Sequence, residues 1–270
     1  MGRLAMVTGA SSGIGEAYAE LLAEDGWDLV LVARRRDRLE EVAARLGARH
    51  GVTARVAEVD LAGVEGLERL CAEAAELPLE LLVNNAGLAH YMPFAELPAA
   101  QAEELVRLNV LAPLQLSRAA LPGMTSRGSG AVVNVASLLA FSGTWDAPFL
   151  PRRAVYAASK SFLLTFTQLL AIELAGSGVR VQVVCPGIVR SEFHTRQGMD
   201  LSGTERMEPR SVALASLADL ARGVVVSIPG AADEAASDGV DAASRELITL
   251  TRSVELPARY REERARAPQG

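Results

Sequence analysis

The stretch Leu4 to Gly15, which reads LAMVTGASSGIG, decides the fold of this chain. Its first five residues are mostly apolar or β-branched and predict a buried strand, and a helical pattern continues from the stretch to about Asp25. Glycines at positions 9, 13 and 15 permit positive φ angles and let backbone N–H groups approach an anion at the positive end of that helix. This order predicts an α/β fold that begins with a phosphate-binding turn, with a merely tight turn as the alternative.

Beyond that turn, short β-rich runs alternate with helical patterns along the chain. Strands that are apolar at successive positions are buried on both faces, and helical connections between them are right-handed parallel crossovers. We therefore predict a doubly wound, Rossmann-type parallel sheet of about seven strands in a single domain. The predicted strands are 4–8, 27–33, 53–59, 80–83, 130–135, 179–185 and 224–228, and the further helices are 36–49, 64–76, 99–124 and the segment from 156.

Composition excludes several classes of protein. With 270 residues, half of them hydrophobic, the chain can bury a substantial core. A net charge of −6 and a pI near 5.3 provide no field for nucleic acid, and the three arginines at 34–36 suit a small anionic ligand better than a polyanion. Cys71 and Cys185 lie far apart and are predicted to be buried thiols without a disulfide or a metal, which favours a reducing compartment.

We expect a cytoplasmic protein without a membrane segment. The chain enters an apolar strand at Leu4 without the charged and apolar regions of a signal peptide, and no apolar run is long enough to span a bilayer. The three histidines, His50, His90 and His194, do not have the spacing of metal ligands, so no metal site is predicted.

A second stretch, Tyr156-Ala157-Ala158-Ser159-Lys160, carries candidate chemistry. Apolar residues recur after it at intervals of three and four and predict a helix, so Tyr156 and Lys160 lie one turn apart on the same face. Lys160 is the only lysine among 27 basic residues, and a compact ammonium can approach a phenol where a planar guanidinium cannot. The pair therefore predicts that the ammonium of Lys160 adjusts the proton affinity of the Tyr156 phenol. The alternative is that Lys160 is a lone solvated lysine.

Several motifs follow one another in order along the chain, and together they resemble the short-chain dehydrogenase/reductase family in its Tyr-x-x-x-Lys branch. The resemblance covers about residues 3 to 230. It implies that residues 1–230 form a dinucleotide-binding and catalytic domain. Beyond Gly230 the resemblance thins, and the residue pattern of 233–266 predicts that residues 231–270 are a helical extension packed on that domain or on a partner subunit. The motifs are Thr8-Gly9-x3-Gly13-x-Gly15, Asp60, Asn84-Asn85-Ala86-Gly87, Asn109, Ser137, Tyr156-x3-Lys160 and Pro186-Gly187.

The resemblance implies hydride transfer between a nicotinamide and a carbonyl or secondary alcohol of a small, apolar substrate. It makes Tyr156 the acid/base and Ser137 the group that holds the substrate oxygen. Lys160 is implied to be the electrostatic partner of Tyr156, and Asn109 to bind a water that continues a proton relay. Work near neutral pH then requires the pKa of Tyr156 to fall from about 10 to about 7. Cofactor contacts are implied at Thr8, Gly9, Ser11, Ser12, Gly13, Ile14, Gly15, Arg34, Arg35, Asp60, Leu61, Asn85, Ala86, Gly87, Tyr156, Lys160, Pro186, Gly187, Val189 and Ser191.

The end of the second predicted strand bears on the choice of cofactor. An acidic residue there accepts from the ribose 2′-hydroxyl and repels a 2′-phosphate, whereas arginine favours the phosphate. This chain has Arg34 and Arg35 at that place. We therefore predict NADP(H) rather than NAD(H), with Arg34 as the main contact; two solvated arginines at a helix start are the alternative.

Two segments depart from the family pattern. Ser137 and Tyr156 are 19 positions apart, more than the family usually shows, and the interval contains Trp145 and Phe149. We predict that these two aromatic side chains narrow the substrate pocket, with packing on a neighbouring subunit as the alternative. Residues 192–209 are polar and irregular and predict a mobile substrate lid.

Three functions compete at this point. The leading one is an NADP(H)-dependent carbonyl reductase or alcohol dehydrogenase that acts on a small molecule and assembles as a homodimer or homotetramer. A nucleotide-sugar epimerase or dehydratase is disfavoured because its glycine spacing and longer substrate domain are absent from the sequence. A non-catalytic NADP(H)-binding sensor or regulatory protein is disfavoured because the set Asn109, Ser137, Tyr156 and Lys160 is complete. The motifs do not specify the substrate.

Overall fold

The computed structural model describes residues 2–148, 150–195, 197–198, 201, 203–231, 242–243, 245–246 and 249. All neighbouring strands of its sheet are parallel, which confirms the predicted doubly wound architecture. The strands are β1 (Leu4–Thr8), β2 (Asp28–Ala33), β3 (Ala54–Glu58), β4 (Leu81–Asn84), β5 (Gly130–Val135), β6 (Val179–Val184) and β7 (Val226–Ser227). Their spatial order is β3-β2-β1-β4-β5-β6-β7.

Helices connect these strands and cover both faces of the sheet. The long helix predicted over 99–124 is interrupted, because a π-helical turn at Arg107–Leu111 separates two α-helices. The other predicted helices begin and end close to their expected positions. The helices are α1 (Gly13–Glu24), α2 (Arg36–His50), α3 (Val64–Glu76), α4 (Ala99–Val106), α5 (Ala112–Arg127), α6 (Ala154–Glu173), α7 (Glu192–Thr195) and α8 (Pro209–Arg222).

The sheet changes its direction of winding between β1 and β4. Strands β2 and β3 lie on one side of β1, and β4 to β7 lie on the other. The segments that follow β1 and β4 diverge from each other, so a crevice opens between them at the carboxyl edge of the sheet. The glycine-rich turn and residues 85–87 follow these two strands, so the topology brings the two motifs together.

Alternate side chains of each strand enter opposite helical layers. In β1, Val7 packs in the cluster that includes residues of α1, α2 and α8, whereas Met6 packs in the cluster that includes residues of α3, α5 and α6. The period of two along a strand produces this division, and burial of both faces explains why the strands are apolar throughout.

A buried polar network supports the sheet beneath the carboxyl ends of β4 and β5. Asn84 Nδ2 donates to Asn134 Oδ1 at 2.9 Å and to Ser117 Oγ at 3.2 Å, and Asn134 Nδ2 donates to Thr167 Oγ1 at 2.9 Å. Buried amides are costly without partners, so these bonds hold β4 and β5 in a fixed position against α5 and α6.

Helix α8 lies in a stretch for which the sequence predicts no element. It packs on α1, and Tyr18 of α1 donates to Ser216 Oγ of α8 at 2.5 Å. Ser216 in turn donates to Gln182 Oε1 of β6 at 2.6 Å. Small alanines and serines weaken the apolar periodicity of this helix, although Pro209 and Gly223 mark its ends.

The chain divides into two compact units, residues 1–230 and 231–270. In the second unit, the described residues 242–243, 245–246 and 249 are helical. Most of the predicted helical extension, including its charged end, lies outside the described residues, and its packing stays a prediction.

Helix α6 is long and apolar enough to cross a membrane, with a mean hydropathy of 1.3, contrary to the expectation that no apolar run reaches that length. Its inward residues Leu163, Leu164 and Leu170 belong to the apolar clusters on the sheet. Burial in the core explains the apolar residues on its inward face, whereas Phe162, Leu169 and Ile172 on its outer face are exposed.

Candidate active site

A cleft of about 1040 Å³ opens at the carboxyl edge of the sheet. It runs from the glycine-rich turn after β1, past the ends of β4 and β5, to the loop between β5 and α6. This is where a doubly wound sheet places its ligands. The volume reaches the upper end of the range usual for a ligand pocket.

Most of the predicted site residues line this cleft. Thr8, Gly15 and Asn109 are the exceptions, because they are buried behind its wall. Those that line it are Gly9, Ser11, Ser12, Gly13, Ile14, Arg34, Arg35, Asp60, Leu61, Asn85, Ala86, Gly87, Ser137, Tyr156, Lys160, Pro186, Gly187, Val189 and Ser191.

Thr8 and Gly15 let the turn after β1 pack closely against the residues that follow β4. Thr8 Oγ1 accepts from the backbone N–H groups of Asn85 at 2.9 Å and Ala86 at 3.0 Å. A Cβ at Gly15 would overlap the carbonyl oxygen of Gly9 and lie 2.5 Å from Asn85 Nδ2, so only glycine lets α1 begin this close to the turn. Both residues shape the cleft without lining it.

The turn has the features that a pyrophosphate requires. Gly9 and Gly13 have φ angles of +67° and +61°, which residues with a side chain rarely adopt. No side chain caps the first turn of α1, so its backbone N–H groups and the positive end of its dipole are free to bind an anion. Further along the cleft, Gly87 leaves open space beside Lys160: a Cβ there would lie 3.4 Å from Nζ. The residues present therefore fit a dinucleotide.

The two arginines after β2 make different contacts. Arg35 Nη2 donates to the side-chain oxygens of Ser11 and Ser12, both at 3.1 Å, so this guanidinium is fixed over the turn. Arg34 is 58% exposed, and its Nη1 lies 3.6 Å from Glu104 Oε1. An exposed ion pair of this kind is weak, so Arg34 can exchange it for another anion.

Lys160 is buried in α6, with 4% of its surface exposed. Its Nζ donates to the carbonyl oxygen of Val135 at 2.9 Å and lies 5.7 Å from the centre of the Tyr156 ring. Burial lowers the pKa of Lys160 from its ordinary 10.5 to about 8. The alternative of a solvated lysine is therefore wrong.

Tyr156 lines the cleft one helical turn before Lys160, and its ring meets the ring of Tyr91 edge to face, with centroids 5.5 Å apart. Burial raises the pKa of Tyr156 to about 12, and the nearby hydroxyls of Ser137 and Tyr91 offset part of this rise. The expected fall toward neutrality is absent from the free protein, because desolvation outweighs these two hydroxyls and the Lys160 ammonium is bonded to the Val135 carbonyl.

Asn109 lies in the π-helical turn between α4 and α5. Its Oδ1 accepts from the backbone N–H of Leu88 at 3.0 Å, and its Nδ2 donates to the carbonyl of Leu88 at 2.9 Å and to Ser159 Oγ at 3.1 Å. The side chain is buried and thus joins the loop after β4 to α6. The π turn is the local irregularity that frequently marks a functional site.

The part of the cleft beyond Tyr156 is mainly apolar. Trp145 lines it, which supports the predicted narrowing at this residue, whereas Phe149 lies outside the described residues. In the predicted lid, α7 and a β-bridge between Val189 and Met207 are ordered elements. The other apolar lining residues here are Leu88, Leu138, Leu139, Phe141, Leu150, Pro151, Ile188, Phe193 and Leu201.

Two lining residues, His90 and Tyr91, belong to no sequence motif. They follow residues 85–87 in the loop after β4, and that position at the carboxyl edge is the signal by which they could have been found. His90 Nε2 is buried without a hydrogen-bond partner among the described residues.

A group of side chains of the metal-binding type occurs outside this cleft, at Glu20, Glu24 and His50. Their ligand atoms lie within 4.8 Å of one another. Arg45 bonds to Glu20 at 3.3 Å and Arg210 to Glu24 at 2.6 Å, so this group is part of an ion-pair network between helices.

Both cysteines are free thiols. Cys185, immediately after β6, is fully buried, and burial raises its pKa to about 12, although the nearby backbone N–H of Ser137 offsets part of this rise. It is therefore a neutral thiol that packs behind Ser137 and Lys160.

Comparison with known proteins decides the family. A family model for short chain dehydrogenase matches residues 3–201. The chain belongs to the short-chain dehydrogenase family. The chain spans 61% of the length of the very-long-chain 3-oxoacyl-CoA reductases that it matches.

Relatives within the short-chain dehydrogenase family include proteins of different activity. The very-long-chain 3-oxoacyl-CoA reductase of Bos taurus is 34% identical over 197 residues, which are 72% of this chain and 61% of that protein. A short-chain dehydrogenase from Sphingobium yanoikuyae in complex with NADPH is 36% identical, with a TM-score of 0.90 over 96% of this chain and 100% of that one. The bulky-bulky ketone specific alcohol dehydrogenase from Comamonas testosteroni is 32% identical, with a TM-score of 0.85 over 96% of this chain and 98% of that one.

Replacement of Lys160 by methionine is expected to stabilise the free protein. The fall in the Lys160 pKa to about 8 corresponds to roughly 3 kcal/mol of destabilisation by the buried ammonium, and loss of the bond to Val135 returns about 1 kcal/mol of that. Urea unfolding at pH 7 should therefore show Lys160→Met more stable by about 2 kcal/mol.

The sign of the pH dependence provides a second readout of the same change. Between about pH 8 and 10.5 the folded protein binds fewer protons at Lys160 than the unfolded chain does, so wild-type stability should rise with pH there and the gain from Lys160→Met should shrink. Arg69→Met, which removes an exposed cation from α3, is the control and should change little. A Lys160→Met protein less stable than wild type at pH 7 would contradict this account.

Proposed function

We propose that the protein is an NADP(H)-dependent short-chain dehydrogenase that interconverts a carbonyl and a secondary alcohol on a small, apolar, uncharged substrate. One observation supports this above all others. The hydroxyl of Ser137, the phenol of Tyr156 and the amine of Lys160 line the same cleft as the glycine-rich turn and the arginines that follow β2.

The chemistry divides between the cofactor and the chain. A bound nicotinamide supplies or accepts the hydride at the carbinol carbon. In reduction, Tyr156 gives its phenolic proton to the substrate oxygen, and in oxidation the phenolate takes it back. The hydroxyl of Ser137 is free to donate to the substrate oxygen, because Ser137 Oγ already accepts from the backbone N–H of Leu139 at 3.1 Å.

Lys160 and Asn109 assist the transfer of the proton rather than the transfer of the hydride. The Lys160 ammonium favours the phenolate of Tyr156, and we place it beside the nicotinamide ribose. Asn109 holds the loop after β4 through Leu88, and its Oδ1 lies 3.2 Å from the position that a Cβ on Gly87 would occupy, on the same side of the loop as Lys160 Nζ. A water bound at this loop would continue the proton relay from Lys160 to solvent.

The arginines after β2 support NADP(H) over NAD(H). Arg34 is held by an exposed ion pair with Glu104, so it can meet a 2′-phosphate without breaking a strong bond. Arg35 pairs with Glu192 at 3.1 Å and is fixed next to the turn, where it adds positive charge to the site. The Sphingobium relative was solved in complex with NADPH, which agrees with this assignment.

The lining of the cleft supports the apolar substrate. Among the described residues that line it, the charged side chains other than Lys160 are Arg34, Arg35, Asp60 and Glu104, which belong to the predicted cofactor end or contact it. The far end therefore favours an uncharged, apolar carbonyl compound. The Comamonas relative is named as an alcohol dehydrogenase specific for bulky-bulky ketones.

We also propose a homo-oligomer in a reducing, cytoplasmic environment. The outer face of α6 exposes Phe162, Leu169 and Ile172, and Ile172 is 72% exposed. An apolar helical face of this kind is typical of a subunit contact. The two free cysteines agree with a reducing compartment.

The proposed reaction predicts that Tyr156→Phe loses turnover but retains cofactor. Without the phenolic proton, kcat/KM for ketone reduction should fall by about 10²- to 10⁴-fold, because this is the usual contribution of a general acid. NADPH oxidation with a panel of alkyl and aryl ketones measures the rate, and NADPH fluorescence measures binding. Tyr18→Phe, which removes a buried hydroxyl far from the cleft, is the matched control and should stay active. NADPH binding by the wild type without turnover of any ketone or alcohol would instead favour a sensor.

The cofactor assignment predicts that Arg34→Ala weakens NADPH binding selectively. Loss of one charge-assisted contact to the 2′-phosphate should raise the Kd for NADPH by roughly tenfold, with little change for NADH. Arg38→Ala removes an equal charge from α2, where Arg38 pairs with Glu41, and is the control for long-range electrostatics. An unchanged ratio of NADPH to NADH affinity in Arg34→Ala would contradict the role of Arg34.

A further inference from the structure

The guanidinium of Arg153, the residue before α6, is bonded to three residues of the loop that precedes this helix, the 142–151 loop. Its Nε donates to Ser142 Oγ at 2.9 Å, and its Nη2 donates to the Ser142 carbonyl at 3.0 Å. Nη2 also donates to the Trp145 carbonyl at 2.6 Å, and Nη1 donates to the Pro151 carbonyl at 3.1 Å. One side chain therefore ties both ends and the middle of the loop to the start of α6.

Arginine is the residue type that can make this set of bonds. Its N–H donors lie in one rigid plane on three nitrogens, whereas lysine has a single nitrogen and could not reach the same acceptors together. The backbone of the loop also forms turns of its own. The N–H of Trp145 donates to the Ser142 carbonyl at 3.2 Å. The N–H of Leu150 donates to the Ala147 carbonyl at 2.9 Å. These bonds shape the loop locally, and the bonds from Arg153 fix it to the helix.

The 142–151 loop forms part of the wall of the cleft. Of its described residues, Ser142, Trp145, Leu150 and Pro151 line the cleft. Trp145 is 58% exposed, so much of its indole surface is open to solvent in the free protein. A substrate large enough to cover this surface removes it from water, which favours binding in proportion to the apolar area. A substrate too small to reach Trp145 gains nothing from it.

The bonds of Arg153 also join the two segments that carry the predicted reaction chemistry. Ser142 ends the 3₁₀ turn Leu138–Phe141, which begins directly after Ser137. Arg153 immediately precedes α6, and Tyr156 lies in the first turn of that helix. The wall that includes the loop is therefore held at a fixed place relative to the groups that contact the substrate oxygen.

We propose that Arg153 is a positioning residue that sets the size preference of this enzyme. It holds the 142–151 loop so that the indole of Trp145 forms the wall against which the large substituent of a ketone packs. Arg153 itself does not line the cleft, so it acts through Trp145. This role rests on the proposed function, since it requires a carbonyl substrate in the cleft.

The test is Arg153→Lys, which keeps the charge and removes the planar set of donors. KM for benzophenone, a ketone with two large apolar substituents, should rise by about tenfold with little change in kcat, because loss of an apolar contact in a pocket has an effect of this size. The kcat/KM for butanone, which is too small to reach Trp145, should stay unchanged. Arg152→Lys is the matched control, because this neighbouring side chain is 72% exposed and its ion pair with Asp146 is 3.7 Å long.

A double-mutant cycle shows whether Arg153 acts through Trp145. Trp145→Ala removes the indole and should raise KM for benzophenone by a similar factor. In that background Arg153→Lys should have little further effect, because no indole remains to be positioned. Residues that act independently have additive effects, so additivity of these two changes would contradict the proposal.

Tryptophan fluorescence tests the loop contact without turnover. The chain has two tryptophans, so in a Trp27→Phe background the emission comes from Trp145 alone. Arg153→Lys should increase acrylamide quenching of this emission and lower its anisotropy, whereas Arg152→Lys should change neither. Ser142→Ala, which removes the acceptor of Arg153 Nε, should act in the same direction by a smaller amount.

The outcomes distinguish this proposal from the proposed function. A more accessible indole together with a rise in KM confined to the large ketone supports the role of Arg153. Unchanged Trp145 emission in folded Arg153→Lys protein, or an equal loss with both ketones, would overturn that role and leave the proposed function intact. If Arg153→Lys does not fold, Ser142→Ala decides by the same readouts. Absence of turnover of any ketone by the wild type would count against the proposed function, and the emission would still decide whether Arg153 holds the loop.

Discussion

An ammonium group held away from bulk water is the constraint on which this cleft depends. Lys160 is the only lysine of the chain, is almost fully buried, and is held at its Nζ by one carbonyl oxygen, that of Val135. Such a group is costly to bury, so it persists only where the surrounding fold fixes it. The ends of β5 and β6, the loop after β4 and helix α6 all meet at this amine, which explains why so many of the motifs converge there.

In the free protein, the pKa values of Lys160 and Tyr156 differ from those that the proposed proton transfer requires. Burial pushes the pKa of Tyr156 up to about 12 and that of Lys160 down to about 8, so each group favours its neutral form. The hydroxyls of Ser137 and Tyr91 already oppose this trend at the phenol. The positive charge of an oxidised nicotinamide in the same cleft would oppose it further. We therefore expect proton transfer in this cleft to depend on a bound cofactor.

The sequence was informative where chemistry requires one residue type at a fixed spacing. Glycines at 9, 13 and 15 and the Tyr156–Lys160 interval are local patterns, so the turn, the helix and the edge of the sheet followed from them. The contact between the rings of Tyr91 and Tyr156 was not predictable, because the two residues are 65 positions apart and the contact follows no periodicity. The rise in the Tyr156 pKa was missed for a related reason: desolvation depends on everything packed around a group, not on its neighbours in sequence. Helix α8 was missed because its alanines and serines pack on α1 with little apolar contrast.

Titration of the single lysine tests the central claim most directly. Because Lys160 is the only lysine, ¹⁵Nζ labelling of lysine gives one side-chain signal whose pH dependence needs no assignment. The account predicts that this signal titrates in the free, folded protein near pH 8. A pKa near 10.5, the ordinary value for lysine, would show that the Lys160 amine is solvated. That result would contradict its burial at the cleft.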